Sequence, residues 1–398
     1  MTLKADVTLV NVTYYCKAMK KNSRIEEAKK DVHIDYNKRM KRLLLASLSA
    51  LLLAACTKDG NTIYEPDPND LASGAPLVTV LYAPDGIGDQ SYSDLVYQGV
   101  EEAATMMGLR TLHLSPITGD GGRIFLEQTI AEMSAATDTV RRLLIVASTL
   151  YDEEVRQNCQ RLEANPRADL LYLETRTLLG GKGSTLYMPY YGAMYAAGAI
   201  APVVAGDVLL LGANPKNETV VEAMQGFSDG FHTDHFLGGS PAEKALVISY
   251  IAKENGDGFS VTDSTALRIM AEPEEDFASS NRLLMPICGG AANTFYRLTE
   301  LIGGYLYVGI DSRKTSARCH YSVVKHVDSA VIRTIGSWFS GEGMPKHQSL
   351  GMADGYTDVI LHPYGKTMQE AFDELLPNEK WEAIREEAIR KESILSEE

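Results

Sequence analysis

Asp85, Asp89, Ser91, Tyr92, Ser93 and Asp94 fall within a single ten-residue stretch. They offer carboxylate acceptors and hydroxyl groups around one flat ring, and no nucleophile stands beside a base among them. That chemistry holds a polar guest by hydrogen bonds and does not cleave or transfer a bond. Two further places carry similar potential. Asp311 ends an apolar run, YLYVGID, and Lys325 follows soon after in SVVKHVDSAV. Gly289 and Gly290 close another apolar run, just before a helix.

The elements that position these residues follow from hydrophobic pattern. The run 77–83, LVTVLYA, carries no charge and reads as a strand buried on both faces. After the polar turn, Val96, Val100, Ala103 and Met107 recur at helical spacing. Strand, turn and helix in that order place the turn at the carboxyl end of a strand, where open α/β sheets bind their ligands. The alternation continues, with strands predicted over 109–114, 142–147, 169–174, 207–213, 282–288 and 305–311, and helices over 119–137, 151–164 and 218–231. The segment 245–251 reads as a strand of ambiguous period. Repeated β-α-β units imply parallel sheets covered by helices.

A chain of 398 residues suits two lobes of ordinary size. The Gly-rich break 175–184 predicts a first crossing between lobes just after it. The expected division is an N-terminal lobe of 77–185 with 313–337, and a C-terminal lobe of 186–312 with 338–398. Beyond Trp338 the pattern weakens to one late strand in GYTDVILHPYG and an amphipathic helix over 378–395 that closes the second lobe.

The formal charge is −15. Residues 1–42 hold 11 Lys and Arg against 5 Asp and Glu, so the remainder, with 27 against 48, carries −21. A body that acidic argues against a nucleic-acid partner. Lys41 and Arg42 precede an apolar segment, 43–55, that has signal-peptide length and is too short to span a bilayer. It ends Leu53-Ala54-Ala55-Cys56, which resembles the lipobox of a bacterial lipoprotein, with Cys56 as the lipidated residue. Translation is therefore expected to start at Met40, with 1–39 a spurious leader, 40–55 a signal peptide, and 56–76, rich in Pro, Asn, Asp and Gly, a tether. Dual acylation at such a cysteine anchors stably where one chain would not. The expected location is the cell envelope, membrane-anchored and facing the periplasm or cell exterior.

The turn GIGDQSYSDLVYQG, from Gly86, is similar to the signature of the basic membrane protein family. These are substrate-binding lipoproteins of ABC importers and include purine-nucleoside receptors. Gly86, Ile87, Asp89 and Ser91 match, Tyr92 replaces a Phe, and Ser93 stands where the family has an Asn that contacts ligand. Gly88 and Gln90 also depart from the pattern. The stretch STLYMPYYGAMYAAGAIAP, the GFSDGF segment, the Gly289-Gly290 turn, YLYVGID and SVVKHVDSAV resemble further family segments, the last of them a helix start. The resemblance implies a type 1 periplasmic-binding-protein fold, two Rossmann-like α/β lobes closing by a hinge on a small ligand, with an ABC permease as partner and no cofactor. It implies that Asp311 accepts from ribose hydroxyls, that Lys325 adds a donor, and that the Gly289-Gly290 backbone lies near the ligand. Asp89 and Asp311 would fix polar edges. Tyr92 either stacks on a planar base or packs structurally beneath its turn; Asp311 could instead cap a helix, and Lys325 could be a solvated helix residue. The absence of Asn at Ser93 leaves a sugar or modified nucleoside as the alternative ligand.

Several short motifs point elsewhere and lack their context. Gly226-Phe227-Ser228-Asp229-Gly230 fits a nucleophile elbow, the basis of an alternative esterase reading. However, Val220, Val221, Met224 and Phe227 recur at helical spacing and predict that Ser228 is inside a helix. Gly86-Ile87-Gly88 lacks the third glycine of a dinucleotide fingerprint, and GGKGST lacks the Lys-Ser/Thr of a P-loop. His232 and His235 have no third metal ligand at suitable spacing. Cys159, Cys288 and Cys319 form no disulfide framework, and whether any two of them pair stays open; Cys16 falls in the leader.

Overall fold

The computed structural model describes residues 74–84, 86–233, 245–252 and 256–397. The expectations for 1–39, 40–55, Cys56, Asp85, His235 and nearly all of the tether lie outside these residues. No helix among the described residues is long and apolar enough to cross a membrane.

Two six-stranded sheets form the body. The first takes β1 (Leu77–Leu81), β2 (Arg110–Leu114), β3 (Arg142–Val146), β4 (Ala168–Leu173), β5 (Gly183–Tyr187) and β11 (His347–Ser349) in the spatial order β11-β5-β4-β3-β1-β2. All its pairings are parallel. The second takes β6 (Asp207–Gly212), β7 (Leu246–Tyr250), β8 (Arg282–Ile287), β9 (Leu306–Asp311), β10 (Cys319–Lys325) and β12 (Thr357–Leu361) in the order β12-β10-β9-β8-β6-β7. Only β12 runs antiparallel there, on the edge beside β10. Strand order reverses at β1 in one sheet and at β6 in the other. These are the switch points where a crevice opens beyond the strand ends.

Strand residues alternate between two cores. Val78, Val80 and Tyr82 pack with α1 (Tyr92–Met107) and α8 (Val327–Ser340), while Leu81 packs with α2 (Gly119–Ala135) and α3 (Asp152–Asn158). Helix α1 approaches α8 so closely that a Cβ on Gly99 would stand 2.6 Å from the Asp328 carbonyl. In the second lobe α4 (Tyr191–Val204) is buried on nearly every side and packs against α5 (Glu218–Phe231). Its small residues make that contact feasible: a Cβ on Gly230 would meet the Tyr195 carbonyl at 1.9 Å. Any larger residue there must push the helices apart, at roughly 1–3 kcal/mol or more. The remaining helices are α6 (Asp263–Ala271), α7 (Ala291–Ile302), α9 (Lys366–Leu375) and α10 (Asn378–Glu397), the last lying on α4.

The chain crosses between the lobes three times, after β5, after β10 and after β11. This corrects the expected division. Residues 319–325, assigned from sequence to the N-terminal lobe and from Ser322 onward to a helix start, are a central strand of the second sheet, paired on one side with β9 and on the other with β12. The helix begins only at Val327. Residues 186–187 and 347–349 belong to the first sheet, and α8 packs on α1 to its last turn at Ser340. The predicted helix over 151–164 is broken into two three-ten turns around the short α3. Helices α6 and α9 are not among the elements expected from sequence, although Met368, Phe372 and Leu375 of α9 recur at helical spacing.

Candidate functional site

The turn before α1 is built by two aspartates that collect backbone amides. Asp89 accepts from the amides of Ser91 at 2.8 Å and Asp94 at 3.2 Å through Oδ1, and from Ser93 at 3.0 Å through Oδ2. Asp94 accepts from Gly88 at 2.6 Å and Gln90 at 2.8 Å. Gln90 sits in the left-handed region at φ +50° to complete the turn. Burial pushes the Asp89 carboxyl up, and the three amides pull it back. Its carboxylate therefore serves as the cap of α1, satisfying amides that the helix start leaves unpaired. Ser91 occupies the formal cap position, yet its hydroxyl caps nothing and donates instead to Asp311 Oδ2 in the other lobe.

Asp311 ends β9 in the left-handed region at φ +62°. It is 8% exposed, and its Oδ1 accepts from the Tyr190 hydroxyl at 3.3 Å. Lys325 ends β10 and is equally enclosed; its Nζ lies 2.7 Å from Glu174 Oε2 and 4.9 Å from the centre of the Tyr190 ring. Glu174 follows β4 of the first lobe, also left-handed at φ +60°. Burial pushes its carboxyl up, while the Lys325 ammonium pulls it down. Non-glycine residues in this backbone region cost about 1–3 kcal/mol and concentrate where surrounding structure fixes a functional side chain.

These strand ends enclose a cavity of about 440 Å3 between the lobes, a volume that suits one small molecule. Asp89, Tyr92, Ser93, Gly289, Gly290, Asp311 and Lys325 all line it. Their parts differ. Ser93 is buried against the turn, where its amide donates to the Asp89 carboxylate. Tyr92 is half-buried on the α1 core; its hydroxyl is sealed from solvent without a hydrogen-bond partner, so what it presents to the cavity is carbon. Burial first, then the Glu174 and Asp311 carboxylates, push that hydroxyl far up. Gly290 has no room for a side chain toward the other lobe, a Cβ there standing 3.1 Å from Asp89 Cβ. Two more bonds cross the same seam, from Asn293 Nδ2 to the Asp89 carbonyl at 2.5 Å and from Lys314 Nζ to the Gln90 carbonyl at 3.0 Å.

Glu174, Tyr190 and Phe259 are among the lining residues that the sequence did not single out. Glu174 is the last residue of a predicted strand, and the carboxyl-end rule could have found it. Tyr190 sits in the first crossing, within a run of tyrosines that reads as core. Phe259, half exposed to the cavity from the loop before α6, has no pattern around it. It places an aromatic ring on the second lobe's wall as Tyr92 does on the first. Beyond this cavity an outer cleft of about 1460 Å3 continues past Arg176, Tyr187 and Glu222 to Arg390 on α10.

The alternative motifs resolve on geometry. Ser228 lies inside α5 with no strand before it, so no elbow forms. Among the described residues no group of three potential metal ligands converges. Cys159, Cys288 and Cys319 are separate, buried thiols.

No family model matches the chain, and no curated protein does. Solved structures do. A solute-binding protein of an ABC transporter system from Aeropyrum pernix K1 superposes with a TM-score of 0.62 at 16% identity, over 80% of this chain and 91% of that one. The fold is that of the two-lobed periplasmic solute-binding proteins. A periplasmic solute-binding protein of an ABC transporter from Actinobacillus succinogenes 130z, solved with bound D-allose, gives 0.52 at 14% identity over 75% and 99%. A transcriptional activator of the comK gene from Bacillus halodurans gives 0.57 at 14% identity over 79% and 97%. The architecture therefore serves more than one biological role, and function has to be argued from the site.

Proposed function

We propose that this protein captures a small, neutral, hydroxyl-bearing solute between its lobes and delivers it to an ABC permease, anchored to the membrane through lipid on Cys56. The observation that carries the reading is one cavity walled by both lobes. Asp311 from β9 and the Ser91–Ser93 start of α1 meet across it, so a guest touches both walls only when the lobes close. A ligand that contacts both walls shifts the hinge toward the closed form, and a permease that recognises that form reads occupancy. Asp311 is the acceptor for vicinal hydroxyls, since a charge-assisted hydrogen bond is stronger than a neutral one.

Among neutral polyols a purine nucleoside is the preferred ligand. The resemblance at Gly86–Ser91 and at 309–328 supports it, and so do the aromatic residues Tyr92 and Phe259, one on each wall, which suit a planar base. A sugar is the second reading, favoured by Ser93 in place of an asparagine and by the D-allose bound to a protein of the same fold. Calorimetry with inosine, guanosine, adenosine and D-allose separates them. Micromolar or tighter binding of a nucleoside, lost in Asp311→Ala, is the expected result; heat with D-allose alone replaces the ligand, and heat with none of the four removes the capture role. Mass spectrometry of the molecule that copurifies with the body 74–398 gives an unbiased answer. Palmitate labelling that vanishes in Cys56→Ala tests the anchor.

A further inference from the structure

Among the described residues that line the cavity, Lys325 is the one cation. An enclosed ammonium at a ligand cavity is the natural receptor for a phosphate or carboxylate. In this chain that charge is already engaged. Glu174, from the other lobe, places Oε2 2.7 Å from Lys325 Nζ, and the two side chains are 12% and 4% exposed. The Glu174 backbone is held in the left-handed region at φ +60°, a conformation that a long side chain rarely adopts. Asp311 stands in the same cavity, close enough for its charge to act on Glu174. Asp89 and Asp257 also line the cavity, Asp89 turned onto the amides of its own helix and Asp257 onto the amide of Phe259.

We propose that Glu174 is a specificity-determining residue that makes the cleft reject anionic solutes, by closing over Lys325 and leaving the cavity with a surplus of carboxylates. The proposal rests on the solute-capture reading above and adds the charge class of the guest. A phosphorylated ligand that enters meets two repulsive elements. To reach Lys325 it must displace Glu174, and the displaced carboxylate is then buried without a counter-charge next to Asp311. Because the ion pair joins residues of opposite lobes, that displacement also opposes closure. A neutral polyol leaves the pair intact and closes the lobes with it. Discrimination here comes from repulsion of the wrong guest as much as from attraction of the right one.

The test is a ratio of dissociation constants, measured by calorimetry for guanosine against guanosine 5′-monophosphate and for D-allose against D-allose 6-phosphate. Glu174→Gln keeps size and polarity, removes one negative charge and releases the Lys325 charge. It is expected to narrow the neutral-to-phosphorylated ratio by roughly tenfold or more, in keeping with loss of a buried charge partner. Lys325→Gln leaves Glu174 as an added anion and widens the ratio, which gives a reading of opposite sign if Glu174→Gln does not fold. A purely structural role for the pair lowers both affinities together and leaves the ratio unchanged; that result overturns the proposal while the capture reading stands. Wild-type protein that binds none of the four compounds overturns the capture reading, and this proposal falls with it.

Discussion

The Ser91 hydroxyl donates to the Asp311 carboxylate, joining the first turn of α1 in one lobe to the end of β9 in the other. The two residues are 220 positions apart, and both are almost fully buried. Since each belongs to a different lobe, the bond forms only when the lobes meet. Ser91→Ala is therefore expected to weaken ligand binding by about 1 kcal/mol, the net value of a typical hydrogen bond, with little change in unfolding free energy. Asp311→Asn should cost more, roughly 2–3 kcal/mol of affinity, because it weakens the bond to Ser91 and removes the charge offered to ligand hydroxyls. Calorimetry for affinity and urea titration for stability separate the two effects. Equal losses in both would place Asp311 in the scaffold and not in the site.

Asp89 should behave in the opposite manner. Its carboxylate holds three backbone amides of its own turn, so Asp89→Ala is expected to destabilise the protein by about 1–2 kcal/mol, the range for loss of a helix cap. Asp89→Asn retains one acceptor and should cost less. Urea unfolding checks this. Unchanged stability together with lost binding would return Asp89 to direct ligand contact.

Gly290 gives a clean test of closure. Its φ is −56°, ordinary for any residue, so alanine introduces no backbone strain there. The added Cβ would stand 3.1 Å from Asp89 Cβ across the seam and 3.6 Å from the Phe259 carbonyl. Gly290→Ala should raise the dissociation constant severalfold, and Gly290→Val more, while the melting temperature stays close to wild type, because only the closed form suffers. A fall in melting temperature with unchanged affinity would show that the contact belongs to the resting body.

Glu392 predicts a pH dependence. It lies on α10, where Oε2 accepts from the Gly192 amide at 2.8 Å and Oε1 from the Met352 amide at 2.8 Å, tying the first turn of α4 to the return segment that leads to β12. Burial pushes its carboxyl up to about 7, with the amides pulling it down and Glu222 and Asp354 adding to the rise. The folded state therefore holds the proton more tightly than the unfolded chain does. Its stabilising contribution is complete below about pH 4.5 and is lost as pH rises to about 7. Across that window wild type should lose about 2–3 kcal/mol more than Glu392→Gln, which cannot titrate. Urea titrations of both proteins at pH 5 and pH 8 measure the difference, and parallel curves would contradict it.

Much of the sheet framework is legible in the sequence because parallel strands buried on both faces appear as uncharged apolar runs. Residues 77–81, 143–146, 208–212 and 283–287 are such runs. Strand β10 reads as a helix start only through its family resemblance, and nothing local corrects that. Its Ser322 and Lys325 are polar yet buried, Ser322 bonded to His362 at 2.9 Å and Lys325 to Glu174, and no local pattern announces partners so distant in the chain. The same limit hid the roles within the site. Residue types in the 86–94 turn pointed to a holding function, but whether Asp89 faces a guest or its own helix depends on the left-handed Gln90 and on where the amides point. Glu174 and Lys325 are 151 positions apart, and nothing in either segment shows that one neutralises the other.

The threefold passage of the chain between lobes has a consequence for how the molecule is made. Helix α8, whose Val331, Ile335 and Trp338 cover the inner face of β1 and α1, is the last large piece of the first lobe to leave the ribosome. Until residue 340 has emerged, the early strands have nothing to shield that oily flank. The nascent first half thus stays a ready client for chaperones and unfolded-chain translocases, and no single cut in the gene would yield either half as a self-sufficient piece.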